Sequence, residues 1–267
     1  VKKVVVVGGG PGGMEAAITA ARRGHKVVLM EKSSVLGGAI PLAASLPKRA
    51  ELADSIRNLN TRIGLADVDI RLNTEATKEG VLAENPDAVI IATGAKVNPH
   101  WLKGENQNVF DVREWLEDQK ELGDTVALID YIGFFQGAAT AELLADMGKK
   151  VLYLTGSLQP GQGLGKTTDL ELWSKRVVEK GVRMIPNVSV MSINGSEIQT
   201  MNNYTGTNET LQADSVLIAN PNLAENSLYY EIKGEKADLP MYLVGDACAP
   251  RRLENAIHEG FLAAIEI

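Results

Sequence analysis

Short continuous apolar runs alternate along this chain with segments in which small apolar residues recur at helical spacing. KKVVVV (2–7) and HKVVLME (25–31) flank the helix-like MEAAITAARRG, and DVDIRL (67–72) and DAVIIATGA (87–95) follow. The order then repeats. DTVALI (124–129) and KKVLYLTG (149–156) flank AATAELLADMG, with GVRMIPNVSV (181–190) and DSVLIAN (214–220) after them. Strands without polar alternation belong to parallel sheets covered on both faces. Each helix runs into a glycine, Gly24 or Gly148, as a left-handed cap requires. The pattern predicts an α/β chain of two Rossmann-like dinucleotide-binding domains.

The last segment, MYLVGDACAPRRLENAIHEGFLAAIEI (241–267), supplies one further strand and a long helix. The second domain needs neither, so both are assigned to the first. That makes the second domain an insertion, as in glutathione-reductase-like chains. The expected division is 1–100 plus 238–267 for the first domain and 101–237 for the insert, with hinges near 97–123 and 221–240. The polar stretch NNYTGTNETLQ (202–212) reads as a hairpin in the insert.

Composition narrows the class. The 267 residues are 45% hydrophobic and 23% charged, an ordinary globular balance with room for two domains. A net charge of -7 argues against a nucleic-acid surface. No apolar run reaches the 18 or so residues of a membrane helix, and no signal-peptide layout opens the chain. One cysteine, Cys248, excludes an internal disulfide and a Cys-rich cluster, and a reducing, cytoplasmic setting is expected. The chain opens on Val1 rather than Met and so reads as a fragment or a trimmed chain.

Chemistry concentrates in GGGPGG (8–13). Gly8, Gly10 and Gly13 fit G-x-G-x-x-G between a strand and a helix. The first glycine permits the tight turn, the second lets a diphosphate approach the backbone, and the third allows close helix–strand packing. Glu31 closes the next strand 18 residues after Gly13, where a carboxylate accepts from adenosine ribose hydroxyls and repels a 2′-phosphate. Companion signals favour FAD over NAD here. The Gly37–Gly38 pair allows backbone to pass close to a long extended ligand. Asp246, just after Gly245, is placed to bind ribityl hydroxyls, and a helix starting near Arg252 is placed to stabilise negative charge at the flavin N1 and C2=O.

GGGPGG…LMEK…LGG, DAVIIATGA and LVGDACAPRRLENAIHEG together resemble the C-terminal FAD region of the 2,4-dienoyl-CoA reductase, enoate reductase and trimethylamine dehydrogenase group. These are NADH:flavin oxidoreductases related to old yellow enzyme. The likeness covers essentially the whole chain, and its most specific part is G-D-x-x-x-P-R, here Gly245, Asp246, Pro250 and Arg251. Family members precede this region with a barrel carrying FMN and a four-cysteine iron–sulfur cluster. Neither has a place in these residues, so both are expected only on a missing domain or a partner. The expected cofactor-binding set is Gly8, Gly10, Pro11, Gly12, Gly13, Glu31, Lys32, Gly38, Ala39, Thr93, Gly94, Gly245, Asp246, Arg252 and Ala256, with no catalytic side chain and no metal ligand.

In the repeat, DYIGFFQG replaces the glycine loop. Aligned on its helix, Ile132, Phe134 and Gly137 stand where the three glycines belong. Asp130 sets a like charge against phosphate, and the following strand ends LTG without a ribose-binding acid. The repeat is expected to keep the architecture and to have lost tight pyrophosphate binding. The resemblance points the same way: trimethylamine dehydrogenase-like members have a similarly degraded loop and pass electrons to a protein, whereas the dienoyl-CoA reductase branch keeps the glycines and uses NADPH. PGQGLGKTT (160–168) imitates a phosphate loop, but Pro160 stands where glycine is required and offers no amide. Cys248 is read as a buried structural thiol, and Trp101 and Trp115 as packing between domains. His25, His100 and His258 lack metal-ligand spacing.

The leading expectation is a FAD-binding electron-transfer module of a multicentre oxidoreductase, partnered by an FMN and iron–sulfur barrel or by an electron-transfer protein. Two alternatives stay open: an autonomous NAD(P)H-dependent flavin reductase, and a non-catalytic domain holding ADP or FAD. Substrate, nicotinamide binding and homo-oligomer formation are not legible.

Overall fold

A computed structural model of the chain describes residues Val1–Ile267. The chain begins with β1 (Lys3–Val7), α1 (Pro11–Arg22) and β2 (Lys26–Met30), followed by α2 (Ile40–Ala44), α3 (Leu52–Gly64) and β3 (Val68–Arg71). Then come α4 (Lys78–Ala83), β4 (Ala88–Ile91) and the short β5 (Ala95–Lys96). A second stretch holds β6 (Val109–Asp111), α5 (Val112–Asp118), β7 (Thr125–Asp130), α6 (Phe135–Asp146), β8 (Lys150–Leu154), a 3-10 segment Gln162–Thr167 and α7 (Leu170–Glu179). It continues through β9 (Arg183–Ile185), β10 (Val188–Asn194), β11 (Glu197–Asn202), β12 (Asn208–Gln212) and β13 (Ser215–Ala219). The chain then adds β14 (Leu223–Ala224), α8 (Ser227–Glu235), β15 (Met241–Leu243), a 3-10 turn Gly245–Ala247 and α9 (Leu253–Glu266). No helix is long and apolar enough to cross a membrane.

Two compact units result. The first comprises Val1–Ala44, Ala50–Lys96 and Asn222–Ile267, and the second Ser45–Arg49 and Val97–Pro221.

In the first unit five parallel strands run in the order β15-β4-β1-β2-β3. The unbroken apolar runs have a direct cause. On β1, Val4 and Val6 join the cluster formed with Met14, Ile18 and Ala264, while Val5 and Val7 join Val28, Val81, Ile91 and Ile232. Both faces of the sheet are covered, so neither face tolerates polar residues. Burying one such valine contributes about 1.5–3 kcal/mol.

The closing strand and helix lie in the first unit, with β15 paired to β4 and α9 packed on α1. The boundaries differ from the expected 100 and 238. Residues 222–237 form β14, paired to β5, and α8, whose Ile232 is fully buried with Val81 and Ala247 beside it. That stretch belongs to the first unit's core, and 97–123 holds an ordered strand and helix of the second.

The second unit repeats the plan with the order β6-β13-β7-β8-β9, all parallel. The expected hairpin over 202–212 is present, and β10 extends it to the antiparallel order β10-β11-β12. The run 181–190 divides in two because Pro186 cannot donate to a ladder and Asn187 turns left-handed, at φ 57°. Trp115 is 1% exposed, and its indole donates to the Lys120 carbonyl at 2.9 Å, so it is a core residue of its own unit. Trp101 is 67% exposed. Neither observation matches the interdomain packing expected of the pair.

Candidate functional site

In a doubly wound sheet the ligand crevice opens at the carboxyl ends of the strands, where strand order reverses. In the first unit β1, β2, β4 and β15 are neighbours, and the segments leaving them carry every residue of the expected binding set. Residues 8–13 leave β1, 31–39 leave β2, 93–94 leave β4, and 245–256 leave β15.

The loop after β1 is packed as tightly as its glycines allow. Gly8 adopts φ +103°, and a Cβ there would lie 2.3 Å from the Ala92 carbonyl oxygen. A Cβ on Gly13 would lie 1.9 Å from the Gly8 oxygen, and one on Gly12 3.0 Å from the Ala256 oxygen. Gly10 is different. A Cβ there meets only Gly38 Cα, at 3.9 Å, so the space over Gly10 is open. α1 begins beneath it at Pro11 with Gly10 as N-cap, no side-chain cap and no acid in its first turn. Its leading amides have no intrahelical acceptors and carry the positive end of the helix dipole, as an anion site requires.

Glu31, 8% exposed, braces this loop. Its carboxylate accepts from Gly9 N at 2.6 Å and from Ser33 N at 2.7 Å. A carboxylate has about four acceptor positions, so capacity for ribose hydroxyls remains. Gly37 N donates to Gly9 O at 2.9 Å and holds Gly38 close to Gly10. Lys32, Gly38 and Ala39 are exposed beside it.

Thr93 donates its hydroxyl to the Glu225 carbonyl, and Glu225 N donates to Gly94 O at 3.0 Å, which pins the turn after β4. After β15, Gly245 turns left-handed at φ +62° against Ala256 and donates to Glu259 at 2.8 Å. Asp246, half-buried, accepts from Arg251 N at 3.0 Å. Arg252 caps α9 through a reciprocal pair with Asn255.

The residues pinning these turns, Glu225 and Glu259, carry no sequence signal of their own. Gly260, where α9 crosses α1, does: a glycine inside a helix marks a close approach. Cys248 is exposed rather than buried, because it follows the Gly245–Ala247 turn on its outer side. His258 is exposed and lines an outer cavity with Glu15, Arg62 and Phe261.

The loop of the second unit is built otherwise. Asp130 is 1% exposed and accepts from the amides of Ile132 and Gly133, each at 2.9 Å, and from the Tyr153 hydroxyl. Burial pushes the Asp130 carboxyl up, against the pull of the three donors, and pushes the fully buried Tyr153 phenol well above its ordinary value. A Cβ on Gly137 would lie 2.6 Å from the Asp130 carboxylate carbon. Gly163, in the stretch that imitates a phosphate loop, donates to Gly133 O at 2.7 Å, and its own Cβ position lies 2.6 Å from that oxygen. The 3-10 segment Gln162–Thr167 therefore packs back on the loop.

Two doubly wound units, one with an open glycine cradle, define the architecture of dinucleotide-binding proteins. Residues 2–260 match the family described as pyridine nucleotide-disulphide oxidoreductase, and the chain belongs to that family. It is 35% identical to the bilirubin reductase of Mediterraneibacter gnavus over 98% of this chain and 40% of that protein. It is 32% identical to the N,N-dimethylglycine/sarcosine dehydrogenase of Chromohalobacter salexigens over 97% of this chain and 43% of that one. A 2-naphthoyl-CoA reductase structure superposes with a TM-score of 0.89 at 33% identity, covering 100% of this chain and 40% of the other. The chain thus spans about two fifths of the length of the relatives it matches.

Proposed function

We propose that this chain is the FAD-binding, electron-transferring region of a multicentre oxidoreductase, working with an FMN and iron–sulfur barrel or with an electron-transfer protein. The contrast between the two loops carries the reading: open space over Gly10 at the uncapped start of α1, against a second loop filled by its own side chains. The residues of the first unit fit the extended dinucleotide, and the length of the relatives supports the missing partner.

FAD bound here supplies hydride and single-electron chemistry. The chain's residues bind and orient it. The amides of Gly12 and Gly13 hold the diphosphate, with Gly8, Gly10 and Pro11 shaping the approach. Glu31 accepts from the adenosine ribose while still bracing Gly9, and Lys32 lies beside it. Gly38 and Ala39 border the flavin side, and Thr93 and Gly94 close over the ligand from β4. Asp246 holds the ribityl hydroxyls, and the start of α9, at Arg252 and Ala256, offers positive potential to the ring. No side chain is assigned a nucleophilic or general-acid role.

Purified chain saturated with FAD tests this. Expected are a flavin spectrum and release of one FAD per chain on denaturation. A colourless protein that retains only ADP overturns electron transfer. Rapid anaerobic bleaching by NADH or NADPH alone would instead identify an autonomous flavin reductase.

A further inference from the structure

We propose that Asp130 is a built-in occupant of the second unit's phosphate position and that, with Tyr153, it sets this unit's refusal of dinucleotides. The inference deepens the functional reading above and rests on the same contrast between the loops.

The two units differ at one informative place. By strand register Asp130 stands where Gly8 stands in the first unit: Val7 pairs with Met30 at the end of β1 and β2, Ile129 with Leu154 at the end of β7 and β8, and Gly8 and Asp130 come next. Aligned on their helices, Gly137 corresponds to Gly13, yet the two glycines are kept for different reasons. The space beside Gly13 is taken by the Gly8 carbonyl, and that beside Gly137 by the Asp130 carboxylate. A buried carboxylate here has what a bound phosphate would have: backbone amides of the loop, a hydroxyl donor and the positive end of α6. α6 has no side-chain cap and no acid in its first turn, so Asp130 is the anion at hand.

The occupant is held from several sides. Tyr153, on the neighbouring strand β8, donates to the carboxyl oxygen that the amides leave, and Thr155 donates to the Asp130 carbonyl at 3.0 Å. Gly163 fastens the outer segment to Gly133. An entering diphosphate would have to take the same amides while leaving a buried negative charge beside it and a buried phenol without its acceptor. Both changes are unfavourable. The loss of two glycines is then not the main obstacle to binding; the resident carboxylate is.

Residue-resolved amide NMR on the deuterated full chain tests this, with inorganic pyrophosphate and ADP as probes. In the wild type, both probes are expected to move the amides of Gly12 and Gly13 and to leave Ile132 and Gly133 still. In the Asp130→Ala/Tyr153→Phe double variant, which removes occupant and partner together, Ile132 and Gly133 are expected to shift before any ligand is added. They should then respond to pyrophosphate at least about tenfold more tightly than in the wild type. The rest of the amide spectrum reports whether the variant is folded. If it is not, Asp130→Asn, which drops the charge but leaves an oxygen on the amides, is expected to give a smaller gain in the same direction. Wild-type Ile132 and Gly133 that respond as strongly as Gly12 and Gly13 overturn the proposal, as does a folded variant with no gain. Immobile Gly12 and Gly13 count against the FAD reading alone and leave the Asp130 readout intact.

Discussion

Gly260 on α9 meets Gly12 on α1 so closely that a Cβ on Gly260 would lie 2.1 Å from the Gly12 carbonyl oxygen and 3.2 Å from Ala16 N. The residue that lets the last helix reach the first thus abuts the start of α1, where the ligand is proposed to sit. Gly260→Ala is expected to cost about 1–3 kcal/mol by overpacking and to weaken FAD retention by displacing the start of α1. Urea denaturation of the apo chain checks the first effect and flavin release the second. A stability change within about 0.5 kcal/mol would remove this crossing from the determinants of the cradle.

The glycines of the loop separate into structural positions and, at Gly10, one with open space beside it. Gly13→Ala drives a methyl into the Gly8 carbonyl and is expected to destabilise the fold strongly. Gly10→Ala meets nothing closer than Gly38 Cα at 3.9 Å, and its φ of -74° suits alanine. Its stability should stay within about 0.5 kcal/mol of wild type while FAD affinity falls about tenfold or more. Paired denaturation and calorimetric titrations decide it. An unaltered affinity would show that the ligand does not approach Gly10.

Glu31 has two duties, since each carboxylate oxygen already serves a backbone amide. Glu31→Gln replaces one acceptor by a donor and leaves the Gly9 or the Ser33 amide without its partner. A loss of about 1–3 kcal/mol is expected, together with weaker FAD binding. A variant weakened in binding but unchanged in urea midpoint would assign Glu31 to the ligand alone.

Acid sensitivity should trace partly to Glu84. Hydrogen bonds from Arg71 and Lys3 hold its carboxyl down, from the ordinary 4.5 to about 2. A depressed folded pKa means the stabilisation is complete above about pH 4.5 and is lost as pH falls toward about 2. Glu84→Gln is expected to destabilise the chain at neutral pH and to flatten that stretch of the stability profile. Urea midpoints across this range check it; parallel profiles for wild type and variant would contradict the assignment.

Much of the architecture was legible because period and punctuation agree. Runs such as VVVV have no polar alternation when both sheet faces are covered, and Gly8, Gly10 and Gly13 announce a turn, an approach and a close packing. What escaped depends on pairs distant in sequence. Thr93 is held by Glu225, 132 residues away, and Asp130 meets Tyr153 across 23 residues and a neighbouring strand. The sequence gives Asp130 a charge but not its partners, so it reads as a repellent rather than as an occupant. The expected insert, 101–237, takes in α8, whose Leu228, Tyr229 and Ile232 form too short an apolar stripe to declare their unit. Cys248 sits among apolar neighbours in sequence but on the outer side of a tight turn.

The strand order β15-β4-β1 gives the two units unequal histories during synthesis. The stretch 97–221 is contiguous apart from a five-residue excursion and can close its sheet as soon as it leaves the ribosome. The glycine-loop unit must wait, its edge strand and covering helix being translated after the second unit, with β4 left an open seam meanwhile. Any ribosome stall before Met241 leaves that seam bare, and strand pairing across such sequence distances is slow. A nascent chain of this design therefore completes the sheet around its glycine cradle only after the whole second unit has been made.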